Sequence, residues 1–433
     1  MRLAEVFDEV TGRRTGIDFR AYDGSSSGPP DSPVRVEIRS PRAVNFLVQA
    51  RNDLGLARAY ISGELEVQGD LHEALRRLWR INDGNVPRRA RARALRSVGL
   101  RALRPVSPPP EEVRLRGRRH SKRRDAAAVS HHYDVSNRFY EWILGPSMVY
   151  TCALYPHANA SLEEAQFAKL DLVCRKLGLR PGMRLLDVGC GWGSMVLHAA
   201  RHYGVEALGV TLSRQQAEWG QRAIADAGLS DRAEVRPLDY RDVPEGQFDA
   251  ISSIGLTEHV GKSQLPAYFA FLHSRLRPRG RLLNHCITRP SNHYPLLLRN
   301  GFIDRYVFPD GELVSPGRII SVMHDAGFEL RHEENLREHY ARTLAAWERN
   351  LEAHWSEAVG EVGASRARVW RLYLAGSRVS FEQDGLELHQ MLATRTEGGD
   401  AAMPLRPDWE HGSASVAGRP GARTTEVPSS PFS

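Results

Sequence analysis

Short apolar runs alternate with helix-like repeats along the second half of the chain. From residue 183 onward, each run is followed by a stretch whose apolar positions recur every three or four residues. Strands that alternate with helices build a sheet covered on both faces, so the pattern predicts an α/β, doubly wound, Rossmann-like domain with a parallel sheet and its ligand at the carboxyl ends of the strands. The predicted strands are 183–188, 207–211, Ala233–Pro237, 248–253 and 281–287, and the predicted helices are 196–203, 213–227 and 265–276.

The first 84 residues show a different pattern, which predicts a small α+β N-terminal domain. Residues 34–39 alternate apolar and polar side chains, as a half-buried strand does. Residues 24–33 are rich in Ser, Gly and Pro and predict a loop. No catalytic cluster occurs in this part of the sequence, so a binding role and a structural role both stay open. The other predicted elements are helices at 43–48, 54–61 and Leu71–Trp79, a strand at 64–67, and a cap on the last helix by Asp70.

The remaining segments complete a four-part organisation: an N-terminal domain (1–84), a linker (85–125), a main domain (126–395) and a tail (396–433). The tail is rich in Pro, Gly, Ser and Thr and is expected to be disordered. Outside its alternating core, the main domain is expected to contain a helical start at 131–144, an extended piece at 148–156, a helix at Leu162–Leu177, an insertion at 289–317 and helices at 319–326 and 344–354.

The composition mainly excludes certain classes of protein and site. The 433 residues contain 41% hydrophobic and 26% charged residues, as in a globular protein with a sizeable core. The four cysteines are widely spaced without a Cys-x-x-Cys pair, which argues against a zinc site or a disulfide framework. No apolar run approaches the roughly 20 residues that span a bilayer, and the first residues lack the apolar segment of a signal peptide. We therefore expect a cytoplasmic protein.

The positive charge is concentrated in the linker. Residues 88–124 hold fourteen Arg and Lys against two Glu, whereas the whole chain has a net charge of +7. Residues 88–103 have the spacing of a basic amphipathic helix, 105–110 is proline-rich and stops any helix, and 114–124 is a second basic cluster. Such a segment can bind anionic lipid, bind nucleic acid or serve as a solvated linker.

A glycine turn after the first predicted strand of the main domain is the strongest chemical signal. Asp187 precedes Gly189, Gly191 and Gly193, and a helix follows. Glycines let the backbone approach a ligand closely, so a buried strand, a glycine turn and a helix N-terminus predict a nucleotide-type site. The Asp-Val-Gly-Cys-Gly form resembles motif I of methyltransferases that use S-adenosylmethionine (SAM).

Several further motifs follow one another along the main domain. They are His132-Tyr-Asp-Val-Ser-Asn-Arg-Phe-Tyr, Tyr150-Thr-Cys-Ala, Leu186-Asp-Val-Gly-Cys-Gly-Trp-Gly, Thr211-Leu-Ser-Arg-Gln-Gln, Asp239-Tyr-Arg, Gly255-Leu-Thr-Glu-His-Val-Gly, Phe302-Ile-Asp-Arg-Tyr-Val-Phe-Pro and His339-Tyr-Ala-Arg-Thr-Leu-Ala-Ala-Trp. With these motifs in the family order, the chain from residue 131 to about 393 resembles the cyclopropane-fatty-acyl-phospholipid synthase and mycolic acid cyclopropane synthase family of SAM-dependent methyltransferases. The first 84 residues resemble, more loosely, the leader domain of its longer members.

The resemblance implies two groups of site residues. One group would bind SAM: Gly189 and Gly191 at its methionine part, with the other members around the ribose and adenine. The second group would be catalytic and would hold a bicarbonate ion that removes a proton from the transferred methyl group. The implied SAM-binding residues are Tyr150, Thr151, Asp187, Gly189, Gly191, Thr211, Leu212, Gln216, Tyr240 and Arg241, and the implied bicarbonate-binding residues are Cys152, Glu258, His285, Ile287 (by its backbone) and Tyr340.

The implied substrate is the cis double bond of an unsaturated acyl chain in a membrane phospholipid. The product would be a cyclopropane or, as in actinobacterial members linked to methyl-branched acids, a 10-methylene chain that a separate reductase converts. A lipid substrate favours docking of the linker on an anionic membrane surface, so we expect a peripheral membrane protein, with a homodimer as one assembly that the sequence allows. The alternative is methylation of a heteroatom on a small molecule or nucleic acid; the absence of an Asn-Pro-Pro-Tyr motif argues against a nucleic acid.

Overall fold

The computed structural model describes residues 2–12, 15–50, 53–79, 105–113, 117–122, 124–125, 128, 136–292 and 300–409. Met1–Ala402 forms one compact unit, and Met403–Ser433 is assigned to a second. The expected helix at 88–103 and most of the expected disordered tail lie outside the described residues. No helix in the described ranges is long and apolar enough to cross a membrane.

The N-terminal part forms a four-stranded sheet with helices packed against it. The predicted strand at 34–39 is confirmed as β3, whose side chains alternate between half-buried and buried, and Asp70 caps α4 by accepting a hydrogen bond of 2.8 Å from the backbone N–H of His72. Sequence patterns missed α1 and β1, and the predicted loop contains the two-residue strand β2. The elements are α1 Leu3–Thr11, β1 Asp18–Ala21, β2 Ser26–Ser27, β3 Arg35–Ile38, α2 Pro41–Gln49, α3 Asp53–Ile61, β4 Leu65–Gln68 and α4 Leu71–Trp79, with sheet order β2-β1-β3-β4.

A seven-stranded sheet carries the main domain, and its order is β10-β11-β9-β8-β5-β6-β7. The five strands that the alternating pattern predicted are confirmed and parallel to one another. Two strands that the sequence patterns did not predict extend this parallel sheet at one side, where β11 runs antiparallel between β9 and β10. The strands are β5 Arg184–Val188, β6 Glu206–Thr211, β7 Ala233–Pro237, β8 Phe248–Ile254, β9 Leu276–Thr288, β10 Glu329–Asn335 and β11 Glu387–Thr394.

Helices cover this sheet on both sides, and local sequence explains where several begin. α6 begins after a capping box, in which Ser161 and Glu164 each satisfy the other's backbone N–H, and ends at Gly178 in the left-handed conformation. The helices are α5 Asn137–Leu144, α6 Leu162–Leu177, α7 Ser194–Tyr203, α8 Arg214–Asp226, α9 Thr257–Val260, α10 Leu265–Arg275, α11 Pro316–Asp325, α12 Arg337–Ala353, α13 Trp355–Val362 and α14 Ala364–Glu382. A short 3₁₀ turn spans Tyr240–Asp242, and a π-helical turn spans Ile303–Val307.

One hydrophobic core joins the N-terminal sheet to the helices that follow β10. Phe46 and Tyr60 belong to the same buried cluster as Trp347 and Trp370. Polar contacts support this packing: His72 Nε2 lies 2.8 Å from a carboxylate oxygen of Glu382 at the end of α14. The N-terminal part is therefore built onto the same compact unit as the large sheet.

Candidate active site

The glycine turn after β5 has the conformation that its sequence predicts. Gly189, Gly191 and Gly193 all have positive φ, at 72°, 55° and 81°, where side chains other than glycine are strained. A Cβ added to Gly193 would lie 3.0 Å from the Val235 side chain, and one added to Gly189 would lie 3.1 Å from Leu256. The turn is therefore closely packed against its neighbours at Gly189 and Gly193. Gly189 and Gly191 also line a pocket at the carboxyl end of the sheet.

All ten residues that the resemblance assigned to SAM line this one pocket. They come from the extended piece before α6, from the end of β5 with its glycine turn, and from the end of β6 and the segments that follow β6 and β7; β6 pairs with β5, and β7 pairs with β6 at the edge of the sheet. This is the location that the doubly wound architecture predicts. The residues are Tyr150, Thr151, Asp187, Gly189, Gly191, Thr211, Leu212, Gln216, Tyr240 and Arg241.

Two of these side chains are held by buried partners. The Asp187 carboxylate accepts a hydrogen bond of 2.6 Å from the Ser252 hydroxyl, and burial raises the pKa of Asp187 to about 7. At the end of β6, the Thr211 hydroxyl donates to the Gln216 side-chain oxygen at 2.8 Å. Both contacts fix the floor of the pocket before any ligand binds.

The pocket contains a buried lysine that sequence reasoning missed. Lys169 lines it from α6, and its ammonium donates to the Thr151 hydroxyl at 2.9 Å. Burial lowers the pKa of Lys169 to about 8, and the nearby Asp187 carboxyl opposes this shift. The sequence did contain a signal for this lysine, because the helical spacing of α6 assigns position 169 to the buried face, where a charged residue is unusual.

Part of the basic linker lies at the mouth of this pocket. Asp125 and Asp310 line it; Arg124 donates to Asp310 at 2.9 Å, and Arg119 pairs with the same carboxylate at 2.8 Å. Arg241 is 3.1 Å from Asp125. These three arginines are therefore paired with carboxylates of the protein itself at the pocket mouth.

Glu258 and Ile287, two of the residues assigned to bicarbonate, are in direct contact. The Ile287 backbone N–H donates to Glu258 Oε1 at 2.7 Å, and the other oxygen, Oε2, is buried without a hydrogen-bond partner among the described residues. Burial raises the pKa of Glu258 to about 7. The N–H that was expected to face the ion is therefore already bonded to Glu258.

His285 lies two residues before Ile287 on β9, and its carbonyl accepts from the backbone N–H of Gly255 at 2.8 Å. Its ring Nδ1 is 3.2 Å from the side-chain nitrogen of Gln390, whereas Nε2 is buried with no partner within the described ranges. Burial, with the charges of Lys169 and Lys176, holds the pKa of His285 well below its usual range.

Cys152 and Tyr340 meet around Leu336. The Cys152 thiol lies 3.8 Å from the Leu336 carbonyl, which also accepts the backbone N–H of Tyr340. Leu336 in turn donates to the carbonyl of Leu388, the residue opposite Ile287 on β11. Burial raises the pKa of the Cys152 thiol, so it is a neutral group. These contacts connect Cys152 and Tyr340, through β11, to the part of β9 that carries Ile287.

His259 has a different setting from its neighbour Glu258. It lines the same pocket as the glycine turn and packs edge-to-face on Phe308 with 5.3 Å between ring centroids. Burial and the nearby His120 lower the pKa of His259 to about 4, so the ring is neutral. Glu258 directs its Oε1 to Ile287 rather than to this ring.

Comparison with known proteins decides the family. The family model described as mycolic acid cyclopropane synthetase matches residues 120–391, which is more than half of the chain. The chain belongs to the mycolic acid cyclopropane synthetase family. It is a SAM-dependent methyltransferase of that family, and the α/β fold class predicted from the sequence is confirmed.

Three relatives illustrate the extent of the match. A Mycobacterium tuberculosis protein named as a probable fatty acid methyltransferase is 52% identical over 424 residues, covering 95% of this chain and 99% of the relative. A protein of the same description from Pseudomonas putida is 38% identical over 397 residues, covering 91% and 95%. The crystal structure of mycolic acid cyclopropane synthase CmaA1 complexed with SAH and CTAB has a TM-score of 0.59 and 32% identity, covering 62% of this chain and 98% of that one.

Proposed function

We propose that this methyltransferase adds one carbon from SAM at the cis double bond of an unsaturated acyl chain in a membrane phospholipid. The observation that carries the proposal is a pair of buried polar atoms, Glu258 Oε2 and His285 Nε2, without partners among the described residues. Burying such atoms unpaired costs free energy, so they are expected to face a ligand. Methylation of a heteroatom, which carries its own lone pair, has no need for this second polar set.

The residues present fit a bicarbonate ion in that second set. Glu258, with a pKa near 7, can share a proton with an oxyanion, and a neutral His285 can donate one hydrogen bond. Cys152 is a neutral buried thiol that approaches the Leu336 carbonyl. When bound, bicarbonate would supply an oxygen base for the proton that the new carbon must lose.

The protein's own residues would then have separate tasks. The alkene carbon attacks the sulfonium methyl, the S–CH₃ bond breaks, and the positive charge moves to the acyl chain; one proton is finally lost, so the chain gains CH₂. Trp347, Trp370 and Tyr140 are buried in one core, and the half-buried Tyr150 packs against it. Their aromatic faces would tolerate a cation and exclude water. Glu258 and His285 hold the negative counter-charge in place.

The product that we propose is the methylene-branched chain rather than the cyclopropane. Both arise from the same cation, and they differ in whether a hydride shifts before the proton is lost. Support comes from the two nearly full-length relatives, which are named as fatty acid methyltransferases. A separate reductase would be the partner that converts a methylene product to a methyl branch.

Membrane docking is proposed for the first basic cluster, residues 88–104. Seven of these seventeen residues are arginine and none is acidic. Arg119, Lys122 and Arg124 of the second cluster pair with carboxylates of the enzyme itself. The docking function that the sequence suggested for 88–124 is therefore narrowed to its first half.

The test is to express the chain in a host that contains oleate and to analyse its lipids by mass spectrometry. A gain of one CH₂ per acyl chain, carrying label from methyl-labelled SAM, is the expected result. NMR of the product then separates an exocyclic methylene from a cyclopropane ring. Label in small molecules or nucleic acid, with none in acyl chains, would reject the proposal.

A further inference from the structure

Three polar residues occupy one row across the large sheet. Gln390 on β11 is directly opposite His285 on β9 and, on its other side, opposite Glu334 on β10. Residues paired in this way project from the same face of a sheet. Their side chains therefore form a continuous polar strip beneath the helix that covers this face.

Lys176, from the last turn of α6, connects the strip. Its ammonium donates to Gln390 Oε1 at 2.7 Å and also pairs with Glu334. Lys176 and Gln390 are both fully buried, and the Glu334 side chain is 32% exposed. The strip thus runs from a carboxylate at the surface to a ring nitrogen inside the enzyme.

The chemistry of these groups fixes the direction of each hydrogen bond. A lysine ammonium donates and cannot accept, so the amide oxygen of Gln390 must face Lys176. The amide NH₂ of Gln390 then faces His285 Nδ1, 3.2 Å away. An NH₂ group only donates, so Nδ1 must accept with its lone pair.

We propose that Lys176 and Gln390 are positioning residues that set the tautomer of His285, with its proton on Nε2. The ring therefore presents an N–H donor at the one nitrogen that has no partner among the described residues. In this tautomer Nε2 cannot take a proton. His285 is thus a hydrogen-bond donor to an oxyanion and not the base that deprotonates the substrate.

Two further observations agree with a neutral ring in this position. His285 is 1% exposed, and Lys169 and Lys176 both disfavour the imidazolium form. A neutral donor between two lysines suits an anionic ligand better than a cationic or apolar one. The identity of that anion as bicarbonate rests on the proposed function, whereas the tautomer does not.

The test reads the tautomer directly, by ¹H–¹⁵N NMR of the full chain labelled with [¹⁵N]histidine. The His285 signals are assigned by their loss in His285→Asn. We expect a protonated Nε2 and an unprotonated Nδ1 in the wild type. In Gln390→Glu, a carboxylate that can only accept replaces the amide NH₂, so Nδ1 becomes protonated. A wild-type ring that is protonated at Nδ1 would overturn the proposal, as would an unchanged pattern in Gln390→Glu.

Activity gives a second readout. Partners that fix the tautomer of a metal-bound histidine are worth about 10- to 100-fold, and we expect kcat losses of that order in Gln390→Leu and Lys176→Met with the SAM dissociation constant preserved. Met391→Leu is the matched control, because Met391 is the next residue of β11 and its side chain lies on the opposite face. If kcat falls equally in Met391→Leu, the losses come from disturbed packing of the sheet, and the positioning role is overturned. If acyl chains prove not to be the substrate, the NMR pattern still tests the tautomer.

Discussion

The backbone N–H of Ile287 donates a 2.7 Å hydrogen bond to Glu258 Oε1, which ties a residue of α9 to the end of β9. This bond leaves only Oε2 of the carboxyl for a ligand, and that atom is buried. Burial also favours the protonated form of the acid. Ionisation of Glu258 in the folded protein therefore costs free energy, and this cost affects both the stability of the fold and turnover.

Glu258→Gln is expected to stabilise the fold at alkaline pH. The pKa of Glu258 is raised from 4.5 to about 7 in the folded state, so its contribution to stability is full below pH 4.5 and is lost as the pH rises through 7. At 1.36 kcal/mol per pKa unit, the wild type is expected to be less stable than the variant by about 3 kcal/mol at pH 8, with little difference at pH 4.5. Urea unfolding at both values measures it. Glu218→Gln, an exposed position on α8, is the control, and a pH-independent difference would contradict the prediction.

The same variant is expected to lose turnover while keeping SAM. A general acid–base group contributes about 100- to 10,000-fold, and Glu258 does not line the cofactor pocket. We therefore expect kcat to fall at least about 100-fold, with the SAM dissociation constant within about twofold by calorimetry. His285→Ala removes a hydrogen-bond donor to the oxyanion, so kcat should fall about 100- to 1,000-fold with SAM binding preserved. Loss of SAM binding in both variants would show that these residues belong to the cofactor site instead.

Lys169→Met is expected to weaken SAM binding in a pH-dependent way. Lys169 lines the pocket with a pKa of about 8, and its ammonium is the cation expected to face the SAM carboxylate. The attraction is present below pH 8 and is lost above it. A hydrogen bond to a charged group is worth about 1.5–3 kcal/mol, so wild-type affinity should fall roughly 10- to 100-fold across this range. In Lys169→Met the affinity should be low throughout; a step near pH 8 that persists in the variant would assign the titration to another group.

Local sequence was sufficient for the parallel part of the fold and for grouping ten residues around one pocket. The glycine turn, the capping box of α6 and the apolar runs each carry their signal within a few residues. The site beyond the turn depends on long-range pairing that no local pattern encodes. His285 contacts Gln390, which is 105 positions away along the chain. In β11, the polar residues His389 and Gln390 lie within a run of buried residues, which their polar character does not predict.

Charge patterning alone could not locate the partners of the second basic cluster. Five basic residues within 118–124 resemble a lipid-binding surface in a one-dimensional count. In the fold, Arg119 and Arg124 share the Asp310 carboxylate, which is nearly 200 positions away along the chain. A basic run therefore predicts partners of opposite charge, but it does not distinguish a membrane from the protein's own acidic residues.

Arg124→Ala is consequently expected to weaken SAM binding rather than vesicle binding. The Arg124 side chain is 15% exposed and that of Asp310 is 7% exposed, so their ion pair is largely desolvated. Its loss leaves Asp310 at the pocket mouth with a weakened partner set, and we expect the SAM dissociation constant to rise about tenfold, or about 1.4 kcal/mol. Lys122→Ala is the matched control, because the Lys122–Asp242 pair is about half exposed and such pairs contribute little. Equal effects of both changes would contradict a role specific to Asp310.

Replacing Arg88, Arg89, Arg91 and Arg93 with glutamine is expected to weaken binding to vesicles of anionic lipid. Each basic residue near such a surface contributes about 1 kcal/mol, so the partition coefficient should fall roughly 100- to 1,000-fold in low salt. SAM binding should be preserved, since the cofactor pocket is lined by other residues. Sedimentation with vesicles measures the first quantity, and calorimetry measures the second.

A second set of four substitutions separates this surface from net charge. Arg201, Arg214, Arg222 and Arg318 are exposed positions on helices of the main domain, and changing them to glutamine removes the same charge. If docking is specific to residues 88–104, this control should keep nearly all of its vesicle binding. Equal weakening in both sets would assign the membrane affinity to the overall charge of +7, and the linker would then lose its proposed role.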